Sequence, residues 1–371
     1  MTVQRRKHAR AAAVAAVLMS IALAAPSAAS AFEKGFWGPT TVNGQSQFPI
    51  YRDLGVTLYQ TGLSWANVAS RRPANPRNPN DPAYIWPATL DQTIKDAAAN
   101  RISVLLLVNS TPAWANGGKG ANFAPTRPQD YANFIAAASR RYPTVRNWMV
   151  WGEPTRMPNY MPFVAQRKLG RQLTARQKAA PHRYARMLDA AYGALKSVSR
   201  RNIVIGGNTY TTGDIRPVRW VQNLRLPNGK PPRMDVYGHN PFSFRNPSLK
   251  NPKSDLEIVD FSDTLRFSRI VDENLGRPGK RRIPIFLSEF TVPTDKPDAE
   301  FNFHVTRAVQ AKWIRNGFRL ARGLGSRVYG LGWIHLYDDP ADTTGQRAVV
   351  QGGLIDASGQ KKPGYFAFKN G

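Results

Sequence analysis

The stretch Trp148-Met149-Val150-Trp151-Gly152-Glu153-Pro154 decides how the rest of the chain is read. Apolar residues run to Trp151, and a glycine and a carboxylate then arrive just before a proline. Proline donates no ladder hydrogen bond and pushes the preceding residue towards extended geometry. The reading is a buried strand that stops at Glu153 and presents that carboxylate at its carboxyl-terminal end. A second place of this kind is Ile283-Pro284-Ile285-Phe286-Leu287-Ser288-Glu289-Phe290, with Glu289 lying 136 residues beyond Glu153. Two strand-end glutamates suit the cleavage of a glycosidic bond, which needs one carboxyl to give a proton and another to attack.

Outward from that strand, the pattern alternates. Gly35–Gly38 is a short aromatic run read as a first strand. Pro49–Leu54 has the length of a short helix, and Val56–Trp65 follows as a strand and its exit. The proline- and asparagine-rich stretch from Arg71 to Pro87 predicts a loop without regular structure. A helix is expected over Leu90–Ala99. Ile102–Val108 is nearly continuous in apolar residues, which suits a parallel strand covered on both faces. Pro128–Arg141 has helical spacing through Tyr131, Phe134, Ile135 and Ala138. Beyond the anchor strand, a loop carrying Met157, Tyr160, Met161 and Phe163 reads either as a lid or as an ordinary apolar cluster.

The next helix is placed over Pro181–Val198, with Pro181 in its first turn. Asn202–Asn208 is read as a strand and Val218–Leu224 as a short helix. Met234–Phe242 is a strand and its mouth, and Thr264–Glu273 a helix. The Glu289 strand, a helix over Phe303–Leu324 and a strand over Val328–Ile334 follow. Leu354–Phe368 closes the chain as a hairpin or loop and a short helix. Up to eight strands, nearly all followed by helices, predict an α/β fold of the (β/α)8 TIM-barrel type, with function at the carboxyl-terminal strand ends. An open doubly wound sheet fits less well, because no Gly-x-Gly-x-x-Gly follows the first strand.

Residues 1–31 carry an early basic run (Arg5, Arg6, Lys7, Arg10), an alanine-rich apolar stretch and the small residues Ala29-Ser30-Ala31. That is the layout of an export signal peptide cleaved near Ala31, leaving residues 32–371 as one catalytic barrel domain in a secreted protein. No later stretch is long and apolar enough to suggest an integral membrane segment. The chain has no cysteine, which rules out disulfides, thiolate catalysis and cysteine-ligated zinc. Its formal charge is +28, and loss of the leader removes four basic residues and no acids, leaving +24. Such an excess attracts polyanions, including acidic polysaccharides. No nucleic-acid-binding motif accompanies it, so no specific nucleic-acid partner is expected.

Trp151-Gly152-Glu153-Pro154 resembles the strand-four motif Trp-Asn-Glu-Pro of the large clan of retaining TIM-barrel glycoside hydrolases, and Glu289 after Ile285–Ser288 resembles its strand-seven nucleophile. Leu54-Gly55-Val56 with Trp65, Tyr84-Ile85-Trp86 with Asp91, and Thr111-Pro112-Ala113-Trp114-Ala115 are similar to its early units. Ala191-Tyr192 with Leu195-Lys196, Ile205-Gly206-Gly207, Trp333, and Gly359 with Lys362-Pro363 and Tyr365 extend the likeness over about Phe36 to Phe368, nearest to the xylosidase-like branch. The resemblance implies Glu153 as acid/base and Glu289 as nucleophile. It also implies a sugar contact from Trp333, as an aromatic floor, and a substrate-binding or nucleophile-orienting role for His239, which otherwise reads as a structural histidine, with Asn240 beside it as a further substrate-binding candidate. Trp65 and Trp114 sit at strand exits, where flat rings can stack on sugars or simply pack, and Tyr237 reads as a nucleophile-orienting or packing residue.

One departure stands out. The clan's asparagine before the acid/base is Gly152 here, so its contact to the sugar 2-hydroxyl has no side chain to make it. Asn109 and Asn208 are the candidate substitutes. The expected partner is an oligo- or polysaccharide, with acidic glycans among the candidates. No cofactor or metal is expected, since Asp338-Asp339 alone is far from a calcium ligand set. A non-hydrolytic carbohydrate-binding protein and a transglycosylase using the same glutamates are the alternatives.

Overall fold

The computed structural model describes residues 32–250, 257–276, 282–297, 301, 303–340 and 349–371. The segment read as an export signal lies outside the described residues. Eight parallel strands close into a barrel: β1 (Glu33–Trp37), β2 (Leu58–Ser64), β3 (Ser103–Asn109), β4 (Asn147–Val150), β5 (Ile203–Tyr210), β6 (Val236–Asn240), β7 (Ile285–Phe290) and β8 (Val328–Ile334). Each pairs with its sequence neighbours, and β8 closes on β1 through Phe36↔Trp333 and its neighbouring pairs.

A main helix follows each strand: α1 (Phe48–Asp53), α2 (Ala88–Ala99), α3 (Pro128–Arg141), α4 (Ala175–Val198), α5 (Pro217–Gln222), α6 (Thr264–Leu275), α7 (Arg307–Gly323) and α8 (Pro363–Lys369), with single helical turns besides at Trp65–Val68 and Ala113–Asn116. The predicted TIM barrel is thus the observed fold.

The apolar run of β3 shows why these strands are hydrophobic on both faces. Leu105 and Leu107 point into the barrel with Leu58, Met149, Ile205, Val236, Phe286 and Tyr329, whereas Leu106 and Val108 join the larger layer between strands and helices. Gly35 and Gly332 face each other so closely that a Cβ on Gly35 would lie 3.0 Å from the Gly332 Cα and 3.1 Å from the Phe286 ring. Two glycines therefore make room for a phenylalanine inside the barrel. At the foot, the Tyr329 hydroxyl donates to Asn147 Oδ1 at 2.7 Å.

The strand exits are fastened from outside. The Tyr131 hydroxyl on α3 donates to the Val108 carbonyl at 2.8 Å, and the Tyr184 hydroxyl on α4 to that of Val150 at 2.7 Å. Tyr184 also accepts the Gly207 N–H at 2.9 Å. These bonds satisfy backbone groups where the regular ladder ends.

Helix α4 starts earlier than the sequence suggested. Thr174 is its N-cap, in a reciprocal capping box with Gln177, and Pro181 lies inside the helix rather than in its first turn. There its missing N–H withholds a donor from the Gln177 carbonyl. Thr306 likewise caps α7, which begins at Arg307 rather than Phe303. The proline-rich segment after β2 has no regular structure but is held internally. Asp81 accepts the N–H groups of Asn75 and Ala83, and Tyr84 and Trp86 donate to the carbonyls of Pro76 and Pro79.

Candidate active site

At the carboxyl-terminal face lies a cleft of about 800 Å³ that both Glu153 and Glu289 line. β4 ends at Val150, after which Trp151 and Glu153 take positive φ values of 67° and 41°. The chain turns sharply there. The Trp151 indole goes outward, donating to the Asn159 carbonyl and packing edge-on to Tyr160, while the next residues line the cleft. Such left-handed backbone at non-glycine residues costs energy and persists only where its surroundings hold it. Here Asn208 does so, accepting the Glu153 N–H on Oδ1 at 2.9 Å.

The Glu153 carboxylate is held at both oxygens. Asn240 Nδ2 donates to Oε1 at 2.9 Å, and an Arg156 terminal nitrogen donates to Oε2 at 2.8 Å. Behind it the bonds continue. Ser288 Oγ donates to Asn240 Oδ1 at 2.6 Å, while Asn208 Nδ2 donates to Ser288 Oγ at 2.9 Å and to Asn240 Oδ1 at 3.2 Å. Ser288 immediately precedes Glu289, and its carbonyl accepts from Gln60 Nε2 at 2.7 Å. A buried network of two amides and one hydroxyl thus connects the end of β4 to the end of β7. Its partners are all satisfied, which is the condition for such a network to rigidify a site.

Asn208 reaches this position through a break in register between β5 and β6, where Gly207 and Asn208 both have positive φ. A Cβ on Gly207 would fall within 2.6 Å of the Tyr237 ring, so glycine is required there. Both amide hydrogens of Asn208 are committed to the network. Asn109, the other asparagine expected to serve beside Gly152, lines the cleft at the end of β3. A Cβ at Gly152 would sit 3.2 Å from Leu107 Cδ1, a tight but not closed space.

Several side chains expected at the site face elsewhere, and those expectations are corrected. Trp333 alternates with Gly332 and Ile334; Ile334 lines the cleft, so Trp333 turns into the helix layer, edge-on to Phe290. Trp65 begins a helical turn after β2 and stacks on Phe134 of α3 at 5.6 Å. Trp114 covers Trp65 and donates its indole N–H to the Ala69 carbonyl.

Tyr237 is buried against Gly207 and Phe267. His239 also points outward, with Nδ1 bonded to Thr209 Oγ1 and Nε2 to the Val259 carbonyl oxygen. Burial pushes its pKa down to about 4, against the smaller opposing effect of those hydrogen bonds. Tyr160 is fully buried between Trp151 and Tyr184, as core rather than lid. Asp338 is tied to Lys362 rather than to the cleft, and among the described residues no group of three or more His, Asp or Glu could hold a metal ion.

The aromatic walls come instead from Trp37, Tyr210, Phe242 and Phe301, with Asn122, Asn159 and Arg156 among the polar lining. Sequence reading missed these. Trp37 ends β1 on the inward parity, which an alternation count from Gly35 could have found. Tyr210 lies beyond the register break in β5, where alternation no longer tracks the inward face.

The sequence matches no family model and no curated protein. The fold, however, is similar to that of solved structures. One is a family 39 glycoside hydrolase from the gut symbiont Bacteroides cellulosilyticus WH2, with 17% identity and a TM-score of 0.62 over 91% of this chain and 62% of that one. A glucosidase from Croceicoccus marinus has 15% identity and a TM-score of 0.60, over 91% and 66% of the two chains. A monomeric β-xylosidase from Caulobacter crescentus CB15 has 17% identity and a TM-score of 0.59, over 91% and 67%. At such identities the likeness is one of fold, and the chain spans 62 to 67% of the length of these proteins.

Proposed function

We propose that this protein is a secreted retaining glycoside hydrolase that cleaves an oligo- or polysaccharide, with Glu153 as acid/base and Glu289 as nucleophile. The observation that carries the reading is the meeting, in one aromatic-walled cleft, of two glutamates from the ends of β4 and β7. The structural likeness to proteins described as a glucosidase and a β-xylosidase points the same way.

In the first step Glu153 gives a proton to the departing glycosidic oxygen as Glu289 attacks the anomeric carbon. In the second, Glu153 takes a proton from water, which releases the sugar from Glu289 with its configuration retained. Retention asks for the two carboxyls to stand about 5–5.5 Å apart. Asn240 and Asn208 fix the Glu153 side chain and backbone, so that the proton is delivered along one direction. Tyr210, Phe242 and Trp37 offer flat apolar faces to sugar rings, and Asn109 an amide to a ring hydroxyl. An oxygen held by a guanidinium donor is not placed to give a proton away, so Arg156 has to leave Oε2 during the cycle.

The test is product release from a panel of purified neutral and acidic oligosaccharides by wild type, Glu153→Gln and Glu289→Gln. Loss of the acid/base should cost about 10²–10⁴-fold in rate, and loss of the nucleophile should leave only background. The first-formed product should keep the anomeric configuration of the substrate. Glycan binding that neither change affects, with no product from wild type, would instead make this a carbohydrate-binding protein.

A further inference from the structure

Arg156 lies at the boundary between two cavities. One is the cleft already described; the other is a shallow depression of about 330 Å³ lined by Ala165, Gln166, Thr212, Gly213, Asp214 and Arg216. Arg156 and Tyr210 line both and stand between the two. The Arg156 guanidinium lies 4.4 Å from the Tyr210 ring centre, stacked over its face, and the side chain is 46% exposed. Among the described residues, Glu153 is the one acceptor to which that side chain donates. Burial opposes the Arg156 charge, but the Glu153 carboxylate outweighs it and holds the guanidinium above the ordinary arginine range.

Arg216, on the far side, is fixed by donating to the carbonyls of Thr212 and Gly213. Asp214 is turned away in part, one carboxylate oxygen accepting the Met157 N–H at 2.7 Å. Among the described residues, the charged groups lining the two cavities are therefore Arg156, Arg216, Asp214, Glu153 and Glu289.

Resting on the hydrolase reading above, we propose that Arg156 and the depression beyond it form a subsite for a uronic acid residue on the leaving-group side of the scissile bond. The side of the bond follows from Arg156, which lines the depression and bonds Glu153: the depression adjoins the proton donor, and the proton donor faces the departing oxygen. The ligand class follows from the chemistry. A planar guanidinium matches a carboxylate, and Arg156 already holds one. A substrate carboxylate arriving over Tyr210 exchanges with Glu153 for the same donor. Oε2 is thereby released at the moment the leaving group is in place, and a neutral leaving group has nothing to draw Arg156 away.

The test measures binding and turnover separately. Binding of a β-1,4-linked glucuronate trimer, cellotriose and cellotriose 6-sulfate to Glu289→Gln protein is measured by calorimetry at two salt concentrations. The same set is measured for the double variants carrying Arg156→Gln, Arg156→Lys or Arg201→Gln. The uronate trimer should bind at least tenfold tighter than cellotriose. Arg156→Gln should bring that ratio below threefold, Arg156→Lys should restore part of it, and Arg201→Gln, at the foot of the barrel, should leave it unchanged.

Equal binding of the uronate and cellotriose overturns the proposal. So does a preference that Arg201→Gln weakens as much as Arg156→Gln, since that is the protein's overall charge at work. A sulfated trimer that outcompetes the uronate replaces the carboxylate by a sulfate. Because binding is read without turnover, a wild type that cleaves nothing but binds uronate through Arg156 sinks the hydrolase reading and, with it, the leaving-group side, leaving only a uronate-binding Arg156.

Discussion

Adjacent residues of β6 have opposite surroundings. His239 faces the helices and is sealed by Thr209, Val259 and Phe267, while Asn240 faces inward and holds Glu153. Removing the amide in Asn240→Ala frees the Glu153 carboxylate to rotate. Misplacement of a reacting group by about 1 Å costs on the order of 10²-fold, so kcat should fall by about that factor with KM little changed.

His239 affects stability rather than turnover. Its folded pKa of about 4 is below its ordinary 6.5, so the unfolded chain binds the proton first as pH falls. Stability should decline between about pH 6.5 and 4, by about 3 kcal/mol in all, and level off below. Denaturant unfolding of wild type and His239→Gln across that range would show it, since the glutamine variant should lack this part of the slope. Gly152→Asn, which adds a side chain beside the Glu153 backbone, meets Leu107 at 3.2 Å. Overpacking of this kind costs about 1–3 kcal/mol, and Leu107→Val in the same chain should recover most of it in the unfolding midpoint.

At the scale of elements, strands and helices were largely legible, while inward and outward faces were legible only where alternation runs unbroken. β3 reads correctly because its seven residues pair with β2 without a shift. The β7–β8 and β5–β6 pairs each carry a register irregularity, and it is there that Trp333 was misjudged and Tyr210 missed, whereas Tyr237, ahead of the break, packs as one of its two readings had it. Counting by twos cannot see a bulge that depends on the neighbouring strand.

The start of α4 was a different miss: Thr174-x-x-Gln177 is a capping box readable in the sequence, and Pro181 drew attention away from it. Thr174→Ala should destabilise the protein by about 1 kcal/mol, detectable as a lower unfolding midpoint with activity intact under native conditions.

For the whole molecule, one buried ion pair joins the end of the barrel to the end of the chain. Lys362, at the start of α8, donates to both oxygens of Asp338 in the segment after β8, at 2.9 and 2.7 Å, and to Thr294 after β7. Burial pushes the Asp338 carboxyl up and the Lys362 amine down, and the attraction between them opposes both shifts. Breaking such a pair by removing one partner leaves a lone buried charge and costs about 3–5 kcal/mol. Lys362→Met should therefore lower the unfolding free energy by that amount, whereas Lys361→Met, at a half-exposed neighbour, should change it little.

The tyrosine hydroxyls that hold the exits of β3 and β4 bear on how such a barrel can diversify. Because the Val108 and Val150 carbonyls are tied to α3 and α4 from behind, the last residues of those strands do not depend on the loops in front of them for their position. The outer part of a loop can then lengthen, shorten or be exchanged while the strand end it frames stays in place. In a laboratory setting this makes the exposed residues 167–172, beyond Arg156, Asn159 and Tyr160, the natural site for grafting, with new contacts written in front and the strand ends left alone. The same independence would let related barrels vary the outer wall of the cleft by insertion, without first having to rebuild the strand ends beneath.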